Sequence, residues 1–193
     1  MRDNLSKFFS HLPDDTEGSL GAEKRGDNYY FRAFGQDCRL GPDTITLSGK
    51  AVHDPKGLLV SLYAVHADPA PFKLEPLMAF KDFPDSMPYH AAFSANAEHV
   101  LPPHVVEIKK HRADIKKAFS GEDAPPGITG DLSFVLRPFP KIALCYIFYL
   151  SDDEFPASAT CLFSANALSF MPLDGLADVA EYTSRGIIRL VGS

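Results

Sequence analysis

The segment Ile142-Ala143-Leu144-Cys145-Tyr146-Ile147-Phe148-Tyr149-Leu150 constrains this chain more than any other part of it. Its nine residues are all apolar or aromatic, with Pro138 and Pro140 before them and Ser151-Asp152-Asp153-Glu154 after them. A membrane-crossing helix needs ~20 such residues. A surface helix needs a polar face, and this run has none. A short apolar run bounded by breakers reads as a strand covered on both faces, in the middle of a sheet. Whatever else folds must therefore supply apolar cover on two sides.

The composition can supply it. Of 193 residues, 45% are hydrophobic and 23% are charged, which are ordinary globular proportions. Phenylalanine occurs 15 times and tryptophan not at all, so the core is built on Phe, Leu, Val, Ile and Tyr. At this length a single domain over 1–193 is expected. The 16 prolines are spread from Pro13 to Pro172, so they punctuate elements and form no linker.

Other elements follow from local chemistry. A short helix is expected near Asp3–His11. Tyr29, Phe31 and Ala33 alternate with Tyr30, Arg32 and Phe34, and Thr44–Ser48 alternates again, so a β-meander is expected over 28–48. Asp54-Pro55 caps and opens a helix that ends before Pro69. Five prolines between 69 and 90 leave room for a short strand near Leu77–Lys81. Pro102-Pro103 opens a helix from His104 to Phe119, with Val105, Ile108, Ile115 and Phe119 as its buried stripe. Leu132–Arg137 alternates as a strand that Pro138-Phe139-Pro140 breaks, and Ser158–Phe163 is a further strand. A last helix carries Leu176, Val179, Ala180, Thr183, Ile187 and Leu190, with Asp174 near its cap and Gly186 as a weak spot. Clustered strands with short connections favour an α+β fold: a mainly antiparallel sheet with helices packed on it.

The pentapeptide Phe93-Ser94-Ala95-Asn96-Ala97 recurs at Phe163–Ala167. Its flanks do not match, which favours two similar helix caps over a duplicated unit.

Charge and motifs exclude several function classes. The formal charge of 19 minus 25, or -6, argues against general binding to nucleic acid or anionic membranes. The N-terminal residues contain no apolar stretch of signal-peptide length. Cys38, Cys145 and Cys161 are scattered, with no C-x-x-C, which fits reduced thiols in a cytoplasm. No G-x-S-x-G, G-x-x-x-x-G-K-[ST] or G-x-G-x-x-G motif is present, and no cofactor is expected.

Two surfaces remain. Asp152, Asp153 and Glu154 follow the buried strand directly, so a rigid element places them. Hard cations want several such oxygens. Consecutive carboxylates on an extended chain alternate, so only a turn could converge them. The competing reading is a solvated turn anchored by Phe155-Pro156. Tyr149, Phe155 and His66 complete this candidate cluster, with His66 as a possible general base near Asp68. The second surface is basic. Lys109, Lys110, Arg112, Lys116 and Lys117 lie on the helix over 104–119, as an anion-binding or partner face or as a solubilising one.

From Gly49 to about residue 191 the chain resembles a prokaryotic domain-of-unknown-function family, numbered 3786. The resemblance rests on Pro138-Phe139-Pro140-Lys141-Ile142-Ala143-Leu144, Asp152-Asp153-Glu154-Phe155-Pro156-Ala157, Leu162-Phe163 and Met171-Pro172-Leu173. Leu58–His66 and Gly130-Asp131 add to it. The resemblance implies one α+β domain of prokaryotic origin. Some relatives join cysteine-rich iron–sulfur segments, whose cysteines this chain lacks. Tyr149, Ser151 and Ser164 stand where the family pattern has tryptophan, glycine and aspartate.

The expected function is that of a soluble cytoplasmic, non-catalytic binding or accessory protein. Its partner would be another protein or a small apolar ligand, and it would act as a monomer or homodimer. The alternative is a metal-assisted hydrolase-like enzyme using Asp152, Asp153 or Glu154 with His66.

Overall fold

A computed structural model describes residues 1–192. The central run forms a strand, and its neighbours explain why every residue in it is apolar. Strand Ile142–Tyr149 pairs antiparallel with Leu132–Phe139 on one side and Ser158–Phe163 on the other. Side chains alternate. Ile142, Leu144, Tyr146 and Phe148 enter the main core, whereas Ala143, Cys145 and Ile147 form a smaller cluster with Val135 on the opposite face. Phe72, Leu74 and Leu77 of the proline-rich segment cover that second face.

In chain order the elements are α1 (Arg2–Ser10), α2 (Thr16–Leu20), β1 (Glu23–Arg25), β2 (Asn28–Ala33), β3 (Gln36–Leu40), β4 (Ile45–Leu47) and β5 (Lys50–Ala51). Then come α3 (Pro55–Val65), β6 (Met78–Ala79), α4 (Met87–Phe93), α5 (Val105–Lys110) and α6 (Arg112–Ala118). The chain ends with β7 (Glu122–Asp123), β8 (Leu132–Phe139), β9 (Ile142–Tyr149), β10 (Ser158–Phe163) and α7 (Leu173–Val191). The described residues form two antiparallel five-stranded sheets, ordered β1-β2-β3-β4-β5 and β6-β10-β9-β8-β7. The architecture is α+β, as expected. Within the described residues no helix is long and apolar enough to cross a membrane.

Helix α7 lies across the inner face of the second sheet. The Tyr146 hydroxyl sits 3.1 Å from Ser184 Oγ, and Ser184 Oγ donates to the Ala97 carbonyl at 2.6 Å. Buried hydroxyls that find partners cost little and fix the helix register. A phenylalanine cluster fills the far end, where Phe80 stacks on Phe93 at 4.3 Å and both pack against Phe163.

Several local expectations are corrected. The meander is wider than 28–48, because β1 and β5 extend it at both edges. The helix expected over 104–119 is split at His111 into α5 and α6. The break falls where the apolar stripe lapses, between Ile108 and Ile115. Pro138 does not end β8, which runs on to Phe139. The register against β9 shifts between Leu136 and Phe139, and such an irregularity is where a strand tolerates proline. The repeated pentapeptide adopts two conformations: Ser94 is the C-cap of α4, whereas Ser164 caps no helix. Phe93–Ala97 closes α4 and enters a wide π-turn, whereas Phe163–Ala167 leaves β10 for a 3-10 turn.

The two sheets are joined through the turn between β2 and β3. The Phe34 amide donates to the Pro138 carbonyl at 2.8 Å. The Phe34 ring meets Phe139 edge-on at 5.0 Å, and Phe139 stacks on Tyr63 of α3 at 4.6 Å. Arg32 donates to the Gly35 and Ala118 carbonyls, tying the same turn to the end of α6.

Removing side-chain volume from β9 tests this layering. Leu144 is fully buried between the sheet and the main core. Leu144→Ala is expected to lower the unfolding free energy by about 2–5 kcal/mol. Urea denaturation should show an earlier midpoint at an unchanged slope, and a loss under about 1 kcal/mol would contradict the layering.

Candidate functional site

The acidic segment forms a self-closed turn. Asp152 Oδ1 accepts from the amides of Glu154 at 2.9 Å and Phe155 at 2.7 Å, and the Asp152 amide donates to the Phe155 carbonyl at 3.0 Å. These two backbone amides, Phe155 first, hold the Asp152 carboxyl below the usual carboxylate range. Asp152, Asp153 and Glu154 are all exposed, as is Phe155. The turn borders an open hollow of about 420 Å³ with Asp131, Tyr149 and Pro156. Asp131 Oδ2 accepts from the Leu150 amide at 2.7 Å, and the Tyr149 hydroxyl donates to the Thr129 carbonyl at 3.0 Å. Both carboxylates of this hollow thus already serve local backbone.

The structure does not bring His66 to this hollow. His66 caps the end of α3, and its Nδ1 lies 2.9 Å from the Leu62 carbonyl of its own helix. Among the described residues no group of three or more His, Cys, Asp or Glu side chains is placed to hold a metal ion. Cys38, Cys145 and Cys161 are free and buried, and burial pushes the Cys38 thiol up to about 12.

The basic face is partly neutralised from within. Arg112 and Lys116 both bond Asp123 of β7, and Lys110 bonds Glu107 at 2.6 Å. Lys109 and Lys117 are exposed. The edge strand β7 thus places a carboxylate against the cations that the helix sequence shows as a bare stripe.

A second hollow, of about 370 Å³, lies where the β2–β3 turn, α6 and α7 meet. Its apolar wall comes from Phe34, Phe119 and Tyr182, and Lys56 and Arg189 bring positive charge. Phe34 has φ +51° and Gly35 φ +73°. A bulky residue rarely adopts the left-handed region, so Phe34 is held there by its burial and by its bond to Pro138. A Cβ added at Gly186 would lie 2.8 Å from Phe119 Cζ, so the missing side chain is what admits the Phe119 ring beside α7. The weak spot in the helix is a packing position.

Lys56 is the unusual group here. It is only 8% exposed, and its Nζ lies 5.6 Å from the centre of the Phe34 ring. Burial first, and then the Arg189 guanidinium, hold the Lys56 ammonium below its ordinary value, with Asp54 opposing. Asp54 itself caps α3 by accepting from the Gly57 amide at 3.2 Å.

Sequence reasoning did not find this hollow. The available signal was the spacing of Tyr182, Gly186, Arg189 and Leu190 along one face of α7, with a glycine in the middle. Lys56 gave no signal, because its burial comes from residues distant in the chain.

The acidic turn carries a pH signature. The Asp152 carboxyl is expected to titrate below the ~3.9 of an ordinary aspartate. Its folded pKa is the lower one, so its stabilisation is present above the unfolded value and fades as pH falls through the folded value. Carboxyl-detected NMR titration reads this, and a midpoint at or above ~3.9 would contradict the turn geometry.

No curated protein matches this chain, and no solved structure matches it. The model of the family described as a domain of unknown function, DUF3786, matches residues 13–185. The match begins well before Gly49 and stops within α7, so it takes in all of the first sheet as well as the second. On that match, the chain belongs to the DUF3786 family.

Proposed function

We propose that this protein is a non-catalytic, cytoplasmic binding or accessory protein that takes a small molecule in the hollow between the Phe34–Gly35 turn and α7. One observation carries the reading: the hollow has an apolar aromatic wall with a few polar groups among its lining residues. Small-ligand sites have that character, at volumes of roughly 300–1,000 Å³. Three free, buried thiols support a reducing compartment. The sheet edges support a monomer, since β1 has three residues and β5, β6 and β7 have two each. Short edges discourage pairing with a second copy.

The metal-assisted alternative has less support. Its acids stand on an exposed turn, and His66 is bound to its own helix.

The test uses 4-phenylbutanol and 4-phenylbutyrate against the ¹⁵N-labelled full chain. At least one is expected to shift the amides of Gly35, Gln36 and Gly186 saturably, with a Kd of ~1 mM or tighter, about -4.1 kcal/mol. Gly186→Ala should push Phe119 into the hollow and weaken binding several-fold. Helix propensity favours Ala by about 1 kcal/mol and offsets the strain, so the variant stays folded. Absence of any shift at those amides with either compound overturns the reading.

A further inference from the structure

The hollow's charge is unbalanced. Its described lining residues include Lys56 and Arg189 but no carboxylate. Lys56 is largely buried and lines the hollow, and no hydrogen bond or ion pair with a described residue engages its ammonium. The nearest acid, Asp54, is engaged as the cap of α3. Lys56 also sits in the first turn of α3 (Pro55–Val65), the positive end of the helix dipole, where a cation is disfavoured. Burial, the neighbouring Arg189 and the dipole all act against this charge. The cation–π contact with Phe34 offsets only part of that.

Two cations lining one hollow with no carboxylate among the lining residues favour an anionic occupant. The walls limit which anion. Phe34, Phe119 and Tyr182 present aromatic surface, which suits an apolar body. Arg189 offers the planar fork that carboxylates match.

We propose that the hollow selects small carboxylates with an apolar or aromatic body, the carboxylate lying between Lys56 and Arg189 and the body against Phe119 and Tyr182. This rests on the reading of the hollow as a ligand site. It adds the ligand's charge and class.

The experiment compares 4-phenylbutyrate with its neutral isostere 4-phenylbutanamide on the full chain, by the same amide shifts. The carboxylate is expected to bind about tenfold tighter, which is the scale of one satisfied charge. Raising the salt concentration should weaken the carboxylate alone. Lys56→Met and Arg189→Gln should each erase the preference of the carboxylate over the amide. Arg189 is exposed, so Arg189→Gln decides the matter if Lys56→Met does not fold. Equal affinities in the wild type overturn the anion assignment and leave the ligand hollow standing. A carboxylate preference that survives in Arg189→Gln also overturns it, because the anion then lies elsewhere. Failure of both compounds to bind overturns this proposal together with the reading beneath it.

Discussion

The structure depends on burying one strand on both faces. Strand β9 is buried from Ile142 to Phe148, with its one buried hydroxyl, on Tyr146, bonded inside the core, so it has no face to offer water. The inner face is covered by α7 and the aromatic cluster. The outer face is covered by Phe72, Leu74 and Leu77, from a segment with almost no regular structure of its own. Prolines make that segment stiff and extended. Lys141 ties it down, donating to the Asp68 and Ala70 carbonyls at 2.7 and 3.0 Å. A proline-rich stretch that looks like a connector is therefore half of the core's roof.

The same strand orders the rest of the second sheet. Its partner β8 carries Pro138 at a register shift, and the Pro138 carbonyl then accepts from Phe34 of the first sheet. Phe34, Phe139 and Tyr63 form an aromatic chain across that junction. The β2–β3 turn, α6 and α7 meet beside this junction without filling the space between them. Gly186 admits Phe119, and the remaining space is the cationic hollow. The proposed ligand site is thus a by-product of how two sheets are joined, outside any single element.

The acids after β9 show why charge clusters mislead when read from sequence. Three carboxylates in a row suggest a site. Asp152 instead spends its oxygen on the two amides that follow it, as aspartate commonly does in turns. The basic stripe behaves similarly. Arg112 and Lys116 look like a free face until β7 places Asp123 against them. In both cases the competing partner is close by, a backbone amide or an edge strand, and pattern reading gives it little weight.

Local rules were enough wherever burial is set by a residue's own neighbours in the chain. Period-two alternation marked β2, β4 and the start of β8, the Asp54-Pro55 cap marked α3, and the unbroken apolar run marked β9 as central. The α+β class followed from strand clustering. Tertiary structure alone decided the division into two sheets, the path of β8 through Pro138, and the burial of Lys56. Each of these turns on contacts between segments far apart in sequence, such as Phe34 with Pro138 or Arg32 with Ala118. Hydrophobic periodicity reports which face of an element is apolar, but not which distant element will cover it. Lys56 is written as an ordinary surface lysine, and only the docking of distant segments, Phe34 among them, covers most of it.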